Sequence, residues 1–517
     1  MNLMRAITTV GGFTMLSRIF GFVRDILIAN FLGAGMIADA FFVAFRFPNL
    51  FRRLFAEGAF SAAFVPIFSG LLEKEGRQQA LVFANQAMSV LAIILAGFVA
   101  VIEIIMPWAM MVLAPGFDQV AGKMELATEL SRIAFPYLFF ISLVSLQSGV
   151  LNSLHRFAAA AFAPVLLNLT FIAALLLFGG RAATPGHALA WAVAVAGVIQ
   201  FVWLAYHCRR QGFLLGFGFP RLAANVRLLG KRILPVVFGA SLYQINLLIG
   251  TILATLVSDG AVSYLYYADR VTQLPLGVVG VAVGTALLPL LSRQLTAGNE
   301  QAAMHSQNRG LEFALLLTLP AAFALMAISL PIVSVLFERG AFDAHASIAT
   351  AGALAAYSAG LPAYVLIKVL VPGFFAREDT STPVRIAAAA MLANIVLNLI
   401  LMQVWGHIGI ACASSLAAWV NALGLGLVLR RRGHLELDDR LRRRAVRVLA
   451  ASALMAGGLY YGADLLSAML GGAGVRPALA LVLLVGGGLA VFAALAQIFG
   501  AASWRDLRGL RRSGDAS

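Results

Sequence analysis

FANQAMSVLAIILAGFVAVIEIIMPWAMMVL, residues 83–113, runs for 31 positions with a single charged side chain, Glu103. A helix needs about 20 mostly apolar residues to cross the hydrocarbon core of a bilayer, so this stretch reads as a membrane span. Working outward, the same reading applies to 7–34, 38–70, 125–153, 158–179, 186–208, 230–257, 261–292, 309–337, 345–375, 383–404, 407–430, 446–468 and 477–500, which makes fourteen spans. The whole chain agrees. Of its 517 residues 61% are apolar and 12% charged, against about 45–50% and about 25% in soluble globular proteins, and the mean hydropathy is +0.90. A soluble enzyme of this composition is excluded, because the apolar surface could not all be hidden from water. Arg5 followed by Ala6–Ser17 begins like a signal peptide, but no small-residue cleavage site follows. Cys208 and Cys412 stand far apart with no CxxC or Cys/His spacing, which argues against a disulfide framework or structural zinc.

The net charge of +15 would suggest nucleic acid in a soluble protein. Here the basic residues lie in short loops between apolar runs. With the N-terminus in the cytoplasm, alternation through fourteen spans puts 26 Lys and Arg residues inside and four outside, namely Lys123, Arg181, Arg339 and Arg476. Basic residues concentrate in cytoplasmic loops, so the expected protein is a multi-pass inner-membrane protein with both termini cytoplasmic and no nucleic-acid partner.

Two halves recur at an offset of about 224 residues. Ala44-Phe45-Arg46 answers to Ala268-Asp269-Arg270, and Ser61–Pro66 to Gly284–Pro289. Pro107 with Gly116-Phe117-Asp118 answers to Pro331 with Ala341-Phe342-Asp343. The basic linker before Pro164-Val165 resembles the one before Pro383-Val384. Six spans per repeat is an even number, so both repeats enter the membrane in the same direction and imply a pseudo-two-fold axis along the membrane normal. The expected fold is an all-α membrane protein with two pseudo-symmetric six-helix bundles around a central cavity. The bundles cover 1–208 and 230–432, and a basic cytoplasmic linker over 209–229 joins them as an amphipathic stretch on the inner leaflet. Two extra transmembrane helices cover 433–500, followed by a basic cytoplasmic tail over 501–517.

Eight basic residues belong to neither side: Arg18, Arg24, Arg46, Arg52, Arg53, Arg132, Arg270 and Lys368. Each costs roughly 2.5–3.5 kcal/mol at a helix centre, so they face a wet cavity or pair with acids. Glu103, Glu129, Arg132 and Glu312 lie near helix ends, where snorkelling accounts for them. Arg46, Asn49, Arg53 and Glu57 form one stripe of a helix, and Arg53 with Glu57 has the i,i+4 spacing of a structural salt bridge. Arg18, Arg24 and Arg52 lack an acid at i±3 or i±4, since Asp25 adjoins Arg24 and is expected to point elsewhere. Anion binding is the preferred reading for these three, and structural pairing between helices the alternative. Asp39 reads either as a helix-start carboxylate serving orphan N–H groups or as a gate contact to an arginine of the other half. Asp269-Arg270 reads as cavity charge or as a cross-bundle salt bridge. Lys368, between Pro362 and Pro372, reads as facing the cavity rather than lipid.

Arginine forks match phosphate oxygens with parallel hydrogen bonds, whereas a cationic drug would call for a carboxylate-rich cavity. The charge therefore points to an anionic, pyrophosphate-bearing substrate. Gly33-Ala34-Gly35 lacks the Gly-Lys-Ser/Thr of a phosphate-binding loop, and the seven histidines show no ligand spacing. Neither ATP as a direct energy source nor catalysis is indicated.

Arg18-Ile-Phe-Gly-Phe-Val-Arg24-Asp25, Gly33-Ala-Gly, Ala38-Asp39-Ala-Phe-Phe-Val-Ala-Phe-Arg-Phe-Pro48-Asn49 and Arg52-Arg53-Leu-Phe-Ala-Glu57-Gly-Ala-Phe60 closely resemble the MurJ (MviN) family of the multidrug/oligosaccharidyl-lipid/polysaccharide exporter superfamily. Tyr266-Tyr-Ala-Asp269-Arg270 and Lys368–Phe374 extend the resemblance into the second half. It implies a lipid II flippase that moves the undecaprenyl-pyrophosphate-linked peptidoglycan precursor to the periplasmic leaflet by alternating access. Arg18, Arg24 and Arg52 match the family's pyrophosphate-holding cavity arginines. Asp25, Asp39, Arg53, Glu57, Asp269, Arg270 and Lys368 are expected as cavity charge or gating positions. The two extra helices match a groove for the lipid tail. Lipid II and the bilayer are the implied partners of a monomer, with contacts to cell-wall synthesis proteins left open. No cofactor is expected, and the sodium proposed for some members has no assignable ligands in this chain. The competing readings are a cation-coupled drug exporter, a flippase for another polyprenyl lipid, and a membrane scaffold without transport.

Overall fold

In lipid each backbone N–H and C=O must be satisfied within its own segment, and the chain meets that demand with helices throughout. The computed structural model describes residues 3–53, 59–471 and 474–501, and no strand occurs among them. The helices are α1 (Leu3–Leu32), α2 (Met36–Phe51), α3 (Ala59–Lys74), α4 (Gly76–Leu113), α5 (Lys123–Ala134), α6 (Tyr137–Ser153), α7 (Phe157–Phe178), α8 (Pro185–Arg210), α9 (Ala224–Thr255), α10 (Ala261–Thr296), α11 (Glu300–Ala327), α12 (Ser329–Phe337), α13 (Ala344–Phe375), α14 (Ser381–Arg431), α15 (Asp439–Leu465), α16 (Ser467–Leu470) and α17 (Val475–Ile498). Among the described residues, nine helical stretches are long and apolar enough to cross a membrane. One of them, α14, contains two expected spans: Gly406 at φ 55°, ψ −131° breaks it between 383–404 and 407–430, a backbone conformation open to glycine. The other expected spans fall on α1, α2 with α3, α9 and α10. Three of these carry most of the intramembrane charges: Arg18, Arg24 and Asp25 on α1, Asp39 and Arg46 on α2, Asp269 and Arg270 on α10, while Arg132 lies on α5 and Lys368 on α13.

The chain forms two compact units, Met1–Ser263 and Tyr264–Ser517, and the division falls inside the first turn of α10. In the first unit α1 packs on α7, α7 and α6 on α8, α2 on α5, and α9 on α3 and α4. Its core is built from phenylalanine. Phe41 stacks on Phe45, and both meet Phe171 edge-on, while Phe64 stacks on Phe60, Phe68 and Phe83. The linker beyond α8 has no helix over 213–223. It is held to α4 by Gly216 N to Asn85 Oδ1 (3.0 Å) and Gly218 N to Ser89 Oγ (2.9 Å). Phe213 is buried beneath Arg77, whereas Leu214, Phe217, Phe219 and Leu222 are exposed.

In the second unit α13 packs on α14 and α11, and α11 also carries α15. Glu312 on α11 accepts Arg309, Arg440 and Arg444, and Arg309 also binds Asp438. Snorkelling is thus the wrong account of Glu312. It is the anchor that fixes the first extra helix, and the local pattern hides this because two of its three arginines arrive from a segment about 130 positions away.

One close approach shapes the first unit. A Cβ on Gly116, in the 3₁₀ turn Pro115–Gln119, would stand 1.9 Å from the Thr255 carbonyl oxygen at the end of α9. Neither backbone can yield cheaply, and overpacking costs typically 1–3 kcal/mol. Gly116→Ala is expected to lower the thermal midpoint of the detergent-solubilised protein, measured by loss of the monodisperse peak after heating. An unchanged midpoint would show that this contact is looser than described.

Candidate functional site

Arg24 sits two-thirds of the way along α1, only 6% exposed. Its Nε (3.0 Å) and Nη2 (2.7 Å) both donate to Asp25 Oδ1, and its Nη1 donates to Asn168 Oδ1 on α7 (2.9 Å). The guanidinium also lies 5.4 Å from the Phe171 ring centroid. Asn168 in turn donates its Nδ2 to the Ser17 carbonyl (2.9 Å), tying α7 back to α1. The expectation that Asp25 points elsewhere is therefore corrected. Neighbouring helical residues diverge by about 100°, but an arginine is long enough to fold back onto the next carboxylate.

The other arginines stand in different surroundings. Arg18 is exposed, Arg52 is half-buried with Nε donating to Asn49 Oδ1 (2.8 Å), and Arg53 is exposed. Glu57, and with it the expected Arg53–Glu57 bridge, lies outside the described residues. In the second unit Arg270 rests 4.8 Å from the Tyr266 ring centroid, Asp269 accepts Gln273, and Lys368 is exposed.

Asp39 is the most enclosed charge of the first unit, at 0% exposure. It accepts Lys123 Nζ (2.8 Å), Gly260 N (2.8 Å), Ser263 N (2.8 Å) and Ser263 Oγ (2.5 Å). Lys123 also donates to Asp259 (2.6 Å) and lies 4.3 Å from the Phe117 ring centroid. Neither partner expected for Asp39 is the one found. The carboxylate does serve orphan helix N–H groups, but those of α10 rather than of its own α2. It does bind a cation, but that cation is a lysine. Lys123, counted in the sequence as an outer loop charge, is 2% exposed at the start of α5. Lys123, Asp259 and Ser263 are the residues that sequence reasoning missed, and the signal available was Asp259-Gly260 in a short turn before α10.

The first unit thus offers one buried, hydrogen-bonded arginine, Arg24, within an apolar helix, together with a carboxylate–lysine–carboxylate cluster at one helix end. Ionisable groups enclosed in an apolar helical chain mark candidate functional positions. A solved structure titled as an inward-facing multidrug resistance MATE family transporter of the MOP superfamily shares the fold, with TM-score 0.66 at 16% identity over 83% of this chain and 98% of that one. The solved "Lipid II flippase MurJ, inward closed conformation" aligns with TM-score 0.80 at 26% identity over 96% of this chain and 99% of that one. The family profile described as "Lipid II flippase MurJ" matches residues 28–474. A "Probable lipid II flippase MurJ" of Rhizobium tropici is 47% identical over 89% of this chain and 87% of its own length. A "Lipid II flippase MurJ" of Burkholderia cenocepacia is 39% identical over 89% and 90%.

The class is therefore a multi-pass helical transporter with the fold of the MOP superfamily. Within it, the chain belongs to the MurJ lipid II flippase family.

Proposed function

We propose that this chain carries lipid II from the cytoplasmic to the periplasmic leaflet of the inner membrane for cell-wall synthesis, with both its termini cytoplasmic. The observation that carries the reading is Arg24, a cation buried at membrane depth and held by Asp25 and Asn168. A permanently charged guanidinium is expensive there, and a pyrophosphate that takes over Asp25's place recovers its hydrogen bonds. Arg18, exposed on the same helix, and Arg52 on the continuation of α2 join Arg24 as the pyrophosphate ligands. Asp25, Asp269, Arg270 and Lys368 set the charge of the path. The two six-helix repeats alternate between inward and outward access, while α15 and α17 accompany the lipid tail.

The Asp39–Lys123–Asp259 cluster supports a latch at the outer end of the first unit. The excess of basic residues at the opposite helix ends supports a periplasmic position for that cluster. Opening there would require Lys123 to leave at least one of its two carboxylates. Sidedness of lipid II in cells depleted of the protein tests the function itself: accumulation on the cytoplasmic leaflet, reversed by the wild-type gene, is expected.

An inside-negative potential favours outward movement of an anion by about 2.3 kcal/mol per charge per 100 mV. The same potential draws an empty, cationic cavity back inward, so the membrane potential drives the cycle. Collapsing it in proteoliposomes with valinomycin and potassium is expected to slow flipping at least tenfold. Undiminished flipping would remove the potential as the energy source.

A further inference from the structure

The internal repeat builds one corner twice, once in each unit. In the second unit α13 ends on Glu378 at φ 61°, with Glu378 N bonded to Phe375 O (3.0 Å) and Asp379 N to Phe374 O (3.1 Å). Asp379 Oδ1 then accepts Ser381 N (3.1 Å), Ser381 Oγ (3.1 Å) and Thr382 N (3.0 Å) at the start of α14. Its other oxygen accepts Arg432 Nη1 (2.6 Å). Hydrogen bonds, first from Thr382 and then from Arg432, hold the Asp379 carboxyl well below the usual carboxylate range, so it is an anion at neutral pH.

The first unit repeats the backbone of this corner without the carboxylate. α6 ends on His155 at φ 57°, with His155 N bonded to Asn152 O (3.0 Å) and Arg156 N to Leu151 O (2.8 Å). The position of Asp379 is taken by Arg156, and α7 starts with no side-chain cap. Beside it lies a cavity of about 240 Å³ lined by Thr9, His155, Arg156, Phe157, His207 and Gln211. The His207 Nε2 in this lining is buried and has no hydrogen-bond partner among the described residues.

We propose that this cavity is a second anion site, separate from Arg18, Arg24 and Arg52, and that it binds a phosphate group. The phosphate takes the place that Asp379 fills in the other repeat. First-turn N–H groups and the helix dipole favour an anion there. Arg156, exposed beside His155, supplies charge that a carboxylate corner would not need, and the His207 Nε2 gains a partner. Leading away from the pocket, Trp203 packs on His207 (4.5 Å between ring centroids), Phe162 on Trp203 (5.3 Å) and Phe13 on Phe162 (5.4 Å). That apolar strip suits a phosphate esterified to a lipid, although free phosphate satisfies the same polar groups.

The test is calorimetric titration of the purified full chain in neutral detergent with two probes, short-chain phosphatidylglycerol and inorganic phosphate. Wild type and Arg181→Gln, a change in the loop before α8, are expected to bind at least one probe identically. Arg156→Gln is expected to weaken one site about tenfold, as befits loss of one charge-assisted contact. Arg156→Asp recreates the corner of the second unit, so it should reduce the stoichiometry by one site while raising the thermal midpoint of the unliganded protein. A structural role for Arg156 alone would instead lower that midpoint. Binding of phosphatidylglycerol only assigns the site to a lipid headgroup, and equal binding of inorganic phosphate assigns it to a soluble phosphate; both support the proposal. No binding of either probe to wild type, or an unchanged stoichiometry in Arg156→Asp, overturns it. The readout is independent of lipid II flipping, so this proposal and the assigned function can fail separately.

Discussion

Arg24→Ala is expected to abolish lipid II translocation, and the accompanying loss of stability can be separated from the loss of transport. In the first unit Asp25 is 3% exposed and accepts two hydrogen bonds from Arg24. Removing the guanidinium takes two hydrogen bonds from that carboxylate and one from the Asn168 carbonyl, and removing one partner of a buried ion pair costs about 3–5 kcal/mol. A single variant could therefore fail simply because it does not fold. The pair Arg24→Leu with Asp25→Leu removes both charges, and replacing a buried ion pair with apolar groups is often neutral in stability. The double variant is thus expected to recover the wild-type thermal midpoint and still leave lipid II on the cytoplasmic leaflet. If it recovers both midpoint and flipping, Arg24 is a structural partner of Asp25 and holds no substrate.

The second large effect is expected at Lys123. Lys123→Met leaves Asp39 wholly buried, with only Ser263 and Gly260 to solvate it. A cost of about 3–5 kcal/mol follows for the outer end of the first unit. Asp39→Asn added to Lys123→Met removes the stranded charge and is expected to return most of that stability. The two single costs then fail to add, which is the mark of direct coupling. Because Lys123 is proposed to close the outer end, Lys123→Met should also raise the labelling of a cysteine placed at Ser258, assayed from the periplasmic side with a membrane-impermeant maleimide. Additive effects of the two changes, with labelling unchanged, would reduce the cluster to ordinary packing.

The spans were legible because lipid imposes one rule on every stretch, and even the double nature of α14 was readable, since Gly406 interrupts two apolar runs of span length. The charged positions were legible as a set for the same reason: a cation among apolar residues is conspicuous. Their partners were less readable. Helical spacing finds i,i+4 neighbours, and it misses Arg24 folding back on Asp25 and Asn168 reaching across 144 positions. Asn168 lies in the Leu-Leu-Asn-Leu-Thr run of α7, and the reading of the sequence passed over it. Lys123 escaped because counting loop charges assigns a side to each basic residue without asking whether it is buried. Glu312 escaped because its three arginines include two from α15, a helix outside the repeat. In each case the missed information was tertiary, and local pattern carries none of it.

The account rests on positive side chains at membrane depth that hold a pyrophosphate in transit. Its most direct test is the rate of lipid II flipping in proteoliposomes containing the variant with Arg18→Gln, Arg24→Gln and Arg52→Gln combined, compared with wild type at matched folded protein. The predicted result is a folded protein whose flipping rate falls to that of protein-free vesicles. Flipping at the wild-type rate by that triple variant would contradict the account.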